Sequence, residues 1–127
     1  MVPSRVLWRL AAEVWRLPRA GLRYIPNGVD LARFAVSPRR EGGIPVIGTV
    51  AALRPEKNLA RLVRAFAHVH DRSPCRLVIA GDGAERPALE ALAAALGVGD
   101  AVAFVGHVTD TPALYASFDL FALTSDT

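Results

Sequence analysis

One lysine stands apart among the residues that could bind an anion. Lys57 is the only lysine, because all the other basic residues among the chain's 15 Lys and Arg are arginines. It lies in GTVAALRPEKN, residues 48–58, just before Asn58, which is a predicted helix N-cap. An ammonium beside the positive end of a helix dipole is destabilised by roughly a few tenths of a kcal/mol, unless an anion shares the site. The position therefore favours an anionic ligand, and the alternative is that Lys57 pairs with Glu56 or with solvent.

Other chemistry-bearing residues form no complete motif. The chain has no GxxxxGK[ST] P-loop, no Gly-x-Ser-x-Gly elbow and no Ser/His/Asp order. GDGAER, residues 81–86, lacks the third glycine of a dinucleotide fingerprint. His107 follows the end of an apolar run and is a candidate contact, whereas His68 and His70 are interpreted as surface residues of a helix. Cys75 has no partner for a disulfide, so it is predicted to be buried at a strand start in a reducing, cytosolic protein.

Apolar runs and amphipathic stretches alternate after residue 43. Strands are predicted over 44–51, 75–81, 101–106 and 119–125, and helices over 58–70, 86–98 and 111–118, the last capped by Thr111. Continuous apolar strands joined by helices are typical of βαβ units. The sequence therefore predicts a Rossmann-like α/β fold, with a parallel sheet covered by helices on both faces.

The predicted topology also predicts where a ligand would bind. In an open parallel sheet, ligands bind outside the carboxyl ends of the strands, where the strand order reverses. The loops 51–58, 81–86 and 106–111, together with whatever follows Ser125, are expected at that edge. Lys57 and His107 both belong to these loops.

The N-terminal segment is basic and amphipathic. Residues 1–40 carry a balance of +6, whereas the other 87 carry −3. SRVLWRLAAEVWRL is predicted to be a helix that Ser4 caps and Pro18 ends, with Trp8 and Trp15 on one packing face. A basic amphipathic helix can contact a membrane surface, and a solvated helix face is the alternative. A short strand and a turn at 27–28 are predicted next.

Composition excludes several classes of protein. A hydrophobic content of 52% with 21% charged residues excludes a disordered chain. No apolar run approaches a membrane span, and arginines interrupt the region where a signal peptide would lie. Basic and aromatic residues do not interleave, so no nucleic-acid partner is expected.

Four segments, taken in order, resemble a known family. IPNGVDLARF, IGTVAALRPEKNLARLVRAFA, LVIAGDGAERPALEALAAALGV and VAFVGHVTDTPALYASFDLFALTS are similar to segments of the retaining glycosyltransferases of family 4, which have the GT-B fold. The resemblance covers residues 22–127, essentially the C-terminal, donor-binding domain. It divides the chain into an N-terminal helix and linker, 1–21, and a partial nucleotide-sugar-binding domain, 22–127. It implies a nucleotide-diphosphate sugar as donor, transfer with retention, and no metal or other cofactor.

The resemblance implies roles for particular residues. Lys57 matches the lysine of a cationic diphosphate clamp, and a compact charge on a flexible stem suits a diphosphate. The clamp's arginine is replaced by Ala52, which leaves Arg54 as the nearest candidate. The base-contacting loop matches His107 and Val108. Further donor contacts are expected at Gly48, Thr49 and Ser125, and Asn27 and Gly28 are expected near the crossing between two domains.

The resemblance also implies that the sequence is a fragment. Family members carry two glutamates, eight positions apart, after the strand that ends near LTS, and here both would lie beyond Thr127. No catalytic residue is therefore assigned, and the chain by itself is expected to be inactive. A missing N-terminal domain would bind a glycan, lipid or other acceptor, and the location would be cytoplasmic or peripheral to the inner face of the membrane. A non-catalytic nucleotide-sugar-binding or partner module, which Ala52 favours, and an unrelated small nucleotide-binding domain remain alternatives.

Overall fold

Two compact units make up the chain. A computed structural model describes residues 1–35 and 42–126. One unit is Met1–Ala35, and the other, which starts at Val36, contains the sheet. The domain boundary expected after residue 21 from the family resemblance remains a prediction.

The N-terminal unit is a short helix with an irregular continuation. α1, Arg5–Arg9, is capped as predicted, because the Ser4 hydroxyl accepts a 3.0 Å hydrogen bond from the Leu7 amide. The helix continues as a π-helical segment, Leu10–Val14. It ends before Pro18, since Arg16 has a positive φ of 53°. Pro18 is therefore not what ends the helix.

The rest of this unit differs from the prediction. In place of the short strand there is a single parallel bridge between Val2 and Tyr24. The turn expected at 27–28 lies instead at residues 31–34, where the Phe34 amide donates to the Asp30 carbonyl at 3.1 Å. The Asp30 carboxylate also accepts from the backbone amides of Ala32 and Arg33, which stabilises the turn at this later position.

The second unit is a parallel sheet, as predicted. Its strands are β1, Val46–Val50, β2, Arg76–Ala80, β3, Val102–Gly106, and β4, Leu120–Phe121, in the order β3-β2-β1-β4. Every pairing is parallel. The chain builds from β1 outward to β3 and then crosses back to the other side of β1. The strand order therefore reverses between β1 and β4.

Three helices connect these strands. They are α2, Leu59–His70, α3, Arg86–Ala95, and α4, Thr111–Ala116. Asn58 caps α2, as predicted. The predicted cap Thr111 is wrong, because the Asp110 carboxylate accepts from the Ala113 amide at 3.2 Å and takes that role. An Asp one residue earlier still leaves Pro112 in the first turn, where its missing N–H does no harm.

The core lies between one face of the sheet and the helices α2 and α3. Its largest fully buried side chains include Phe66, Leu53, Leu77 and Ile79. Cys75 is buried just before β2, as predicted, and burial raises the pKa of its thiol.

Some residues predicted for this core, or for the surface, lie elsewhere. The apolar spacing of the predicted helices 58–70 and 86–98 places Val69 and Leu96 in the core, but both are exposed, Val69 in the last turn of α2 and Leu96 just after α3. His70 is not simply a surface residue. Its Nδ1 lies 2.9 Å from the Cys75 carbonyl oxygen, and its ring lies 5.4 Å from that of Phe66.

The opposite face of the sheet is only partly covered. The ring of Phe118, which follows α4, lies directly against Gly48 of β1. On β3, Ala103 and Val105 alternate with the core-facing residues, and Val105 remains 46% exposed. The predicted Rossmann-like α/β fold is confirmed, and this face of the sheet is covered more fully at β1 than at β3.

Candidate functional site

The loops after three neighbouring strands border an open cavity at the carboxyl edge of the sheet. Its volume is about 470 Å³. Residues from the ends of β1, β2 and β3, and from the start of α4, line it: Val50, Ala51, Ala52, Ala80, Gly81, Asp82, His107, Val108 and Thr111. The structure thus brings His107 and Val108 together with Ala52 at the carboxyl edge of the sheet, on the β2 side of β1, whereas the strand order reverses on the β4 side.

Close backbone packing forms one wall of this cavity. The Leu53 amide donates to the Asp82 carbonyl at 2.9 Å, and the Ala51 amide donates to the Ala80 carbonyl at the same distance. Gly81 has a φ of 128°, and a Cβ there would collide with the Ala51 carbonyl oxygen. The close approach of the two loops therefore explains the first glycine of GDGAER, Gly81, without a bound dinucleotide.

Asp82 is a cavity residue that the sequence reasoning missed. Arg86, at the start of α3, lies 3.7 Å from its carboxylate and donates to the Phe104 carbonyl at 3.1 Å. The same guanidinium binds Glu90 at 2.8 Å. Arg86 thereby links the loop after β2 to the end of β3. The available signal was an acidic residue directly after a strand end.

The two candidate clamp cations lie outside the residues that line the cavity. Residues Pro55–Lys57 form one 3₁₀ turn between β1 and α2. Arg54 is exposed, and its guanidinium lies 4.0 Å from the Glu56 carboxylate. Lys57 is half-buried, and within residues 42–126 it forms no ion pair. The alternative that Lys57 pairs with Glu56 is therefore not what the structure contains.

The segment after β4 meets this turn where the strand order reverses. The Thr124 hydroxyl donates to the Asn58 carbonyl at 3.0 Å and lies 3.3 Å from the Lys57 carbonyl. The Asp126 carboxylate accepts from the Asn58 side-chain amide and from Arg61. The Asn58 hydrogen bond lowers the pKa of Asp126 most, and Arg61 lowers it further, against some desolvation that raises it.

Other predicted donor contacts lie apart from the cavity wall. Gly48 and Thr49 are in the middle of β1, and both are buried. Ser125, after β4, is half-buried. The hydroxyl oxygens of Thr49 and Ser125 are buried and, within the described part of the chain, have no hydrogen-bond partner. Asn27 and Gly28 belong to the N-terminal unit.

Within residues 1–35 and 42–126, no group of three or more His, Cys, Asp or Glu side chains could hold a metal ion. None of their helices is both long and apolar enough to cross a membrane.

Known proteins resemble this chain in sequence and in fold. The chain is 35% identical over 118 residues to the GDP-mannose-dependent α-(1-6)-phosphatidylinositol monomannoside mannosyltransferase of Mycolicibacterium smegmatis, which covers 84% of this chain and 31% of that protein. It is 30% identical over 131 residues to the 2-deoxystreptamine glucosyltransferase of Streptomyces kanamyceticus, covering 91% of this chain and 33% of that protein. The chain thus spans about a third of the length of these relatives.

Solved structures give the same relationship. Anabaena HepE in complex with UDP and glucose superposes with a TM-score of 0.71 at 27% identity, over 87% of this chain and 33% of that one. A glycosyltransferase from Rickettsia africae superposes with a TM-score of 0.79 over 96% of this chain and 36% of that one; at 18% identity it shows the fold alone. Residues 33–127 match the model of the family described as glycosyl transferases group 1. With three quarters of its sequence inside that match, the chain belongs to the group 1 glycosyl transferases.

Proposed function

We propose that this chain supplies the donor site of a retaining, family 4-type glycosyltransferase that takes a sugar from a nucleotide-diphosphate sugar. The observation that carries the proposal is the cavity at the carboxyl edge of a parallel sheet, in a chain of the group 1 family. One relative is named as GDP-mannose-dependent, and a neighbouring structure holds UDP and glucose, so guanine and uracil are both candidate bases.

The residues of the loops support an assignment of the donor's base to the cavity and of its diphosphate to the turn that carries Lys57. The cavity is lined by alanine, glycine and valine together with Asp82, His107 and Thr111, and apolar walls with a few polar groups suit a flat base. Lys57 stands outside it, free of an ion pair within residues 42–126 and beside the N-terminus of α2. Backbone amides and a positive dipole there favour an anion. The diphosphate would therefore lie toward Lys57, with Arg54 as a second cation.

The remaining parts of the proposal rest on the family resemblance. Retention, donor binding without a metal, an acceptor bound by a separate N-terminal domain, and inactivity of this chain by itself all belong to it. Contact of the basic N-terminal segment with the inner face of a membrane is proposed from the charge of that segment, and a cytoplasmic location from the single cysteine, Cys75. Membership of the group 1 family removes the alternative of an unrelated nucleotide-binding domain.

The clamp assignment is tested by Lys57→Ala in the full-length protein. We expect the Kd of GDP or UDP, measured by titration calorimetry, to rise about ten- to a hundredfold, as for a hydrogen bond to a charged group of ~1.5–3 kcal/mol. Binding of guanosine or uridine should not change. Arg64→Ala, which removes an exposed cation from α2, is the matched control. Equal affinity of the Lys57 variant and the wild type for the diphosphates would refute the assignment.

A non-catalytic nucleotide-sugar-binding module is the second candidate, because Ala52 lines the cavity where the family clamp has an arginine. The full-length protein with a radiolabelled nucleotide sugar distinguishes the two. Transfer to a glycan or lipid acceptor, with the donor's anomeric configuration kept in the product by NMR, supports the transferase. Tight donor binding without transfer or hydrolysis supports the module.

A further inference from the structure

The turn that carries Lys57 is too short to hold its own position. Pro55–Lys57 is a single 3₁₀ turn, and such short pieces have poor hydrogen-bond geometry. It is followed by Asn58, a non-glycine residue in the left-handed conformation with φ 44° and ψ 47°. A residue in this region persists only where its surroundings hold it. Contacts from other parts of the chain must therefore hold this turn.

Residues near the C-terminal end of the described chain donate hydrogen bonds to backbone carbonyls of this turn. The Asp126 amide donates to the Glu56 carbonyl at 3.1 Å. The Thr124 hydroxyl lies within hydrogen-bond distance of the next two carbonyls, those of Lys57 and Asn58. Three consecutive carbonyls, 56 to 58, are thus engaged by a segment that follows β4.

The side chain of Asn58 is held from both ends. Its Oδ1 accepts from the Arg61 amide at 3.3 Å and so caps α2. Its Nδ2 donates to both carboxylate oxygens of Asp126, at 3.0 and 3.1 Å. Arg61 closes the cluster with a 2.7 Å contact to the same carboxylate. The left-handed residue directly after Lys57 is thereby tied to Asp126.

We propose that Thr124 and Asp126 are positioning residues for Lys57, which set the place of its ammonium against the donor diphosphate. The inference rests on the proposed function, and it concerns residues after β4 that carry no role in the donor site so far. With its carbonyl and its neighbour fixed, Lys57 retains only the freedom of its own side chain. Less conformational freedom is then lost when the ammonium binds an anion.

A purely structural role makes a different prediction. If Thr124 and Asp126 only attach the end of β4, removing them lowers stability and leaves binding untouched. If they position Lys57, removing them weakens the contribution of the phosphates and not that of the nucleoside. The ratio of nucleoside Kd to nucleoside-diphosphate Kd therefore separates the two roles.

The experiment measures this ratio in the full-length protein, with GDP and guanosine and with UDP and uridine. Thr124→Val removes the hydroxyl at nearly constant shape, Thr124→Ser restores it, and Asp126→Asn removes the charge. We expect Thr124→Val and Asp126→Asn each to reduce the ratio about two- to tenfold, the range for one hydrogen bond. Thr124→Ser should return it to the wild-type value. Glu90→Gln, which breaks a comparable ion pair with Arg86 on α3, should leave it unchanged.

A double-mutant cycle connects the effect to Lys57. In a Lys57→Ala background, Thr124→Val should change the ratio no further, because its effect acts through that ammonium. Reduced melting temperatures for Thr124→Val and Asp126→Asn with a wild-type ratio would overturn the inference and leave the proposed function standing. A wild-type ratio for Lys57→Ala itself would instead overturn both the inference and the clamp assignment of Lys57.

Discussion

The diphosphate clamp that we propose departs from the resembled family at one position, Ala52, where the family has an arginine. Ala52 lines the cavity, whereas Arg54, the nearest cation, is exposed and lies near Glu56. An exposed ion pair of this kind is worth little, about 0–1 kcal/mol, so Glu56 would not hold Arg54 away from a ligand. The ion pair with Glu56 therefore does not prevent Arg54 from binding the diphosphate as the second cation.

Substitutions at 52 and 54 test this in the full-length protein. If Arg54 binds the diphosphate, Arg54→Ala should weaken GDP or UDP binding by about 1.5–3 kcal/mol, as expected of a charged hydrogen bond. The double variant with Lys57→Ala should then deviate from the sum, because both cations contact one anion. If Arg54 is only solvated, Arg54→Ala should change the affinity for GDP or UDP by less than ~0.5 kcal/mol. In that case Ala52→Arg should tighten diphosphate binding and leave nucleoside binding as it was, and failure of all three variants to alter calorimetric affinity would contradict the clamp.

Residue types near strand ends predicted part of the candidate site. Contacts between residues that are far apart in the sequence could not be predicted. His107 and Val108 line the cavity because they directly follow β3, a consequence of topology that the apolar runs already contained. The contacts of Asp126 with Asn58 and Arg61 join residues more than 60 positions apart, so no local pattern signals them. Asp82 lies between two glycines of an incomplete dinucleotide motif, so no sequence motif assigned it a role.

At the scale of elements, the loop after β2 is held by its fit against the loop after β1. Gly81→Ala would place a Cβ against the Ala51 carbonyl oxygen, at a backbone φ of 128° that L side chains rarely adopt. We expect a loss of about 1–3 kcal/mol in the free energy of unfolding, measured by urea denaturation. Gly99→Ala is the control, since its Cβ would lie 3.6 Å from the Ala94 Cα, an ordinary contact. Similar unfolding free energies for both variants would contradict the close-packing explanation.

Periodicity predicted the three α-helices and four strands within residues 42–126, and the errors lie at their ends. The apolar run 119–125 gives only two residues of β4, because Thr124 and Asp126 turn their polar groups to the start of α2 instead of extending the ladder. The π-helical segment Leu10–Val14 could not be predicted, since the same apolar spacing fits an α-helix almost as well. Thr111 and Asp110 are both competent caps by type, so the sequence could not choose between them.

At the scale of the whole molecule, apolar surface remains uncovered around the sheet. Val105 on β3, Leu120 and Phe121 on β4, and Leu123 beyond it are between 44% and 57% exposed. In the described sheet β4 pairs with β1 on one side only. An edge strand of exposed apolar residues is a template for association, and apolar patches of this kind mark surfaces that bind a partner.

We therefore expect this chain, expressed by itself, to self-associate. Size-exclusion chromatography with light scattering at micromolar concentrations should give dimers or larger species. Leu120→Lys places a charge on the edge strand and should shift the distribution toward monomer. Val69→Lys is the matched control, because Val69 is a comparably exposed apolar residue, at 47% against 57% for Leu120, but it belongs to α2 and not to the edge strand. A monodisperse monomer of the unmodified chain, or an equal effect of the two lysines, would show that the sheet edge does not drive association.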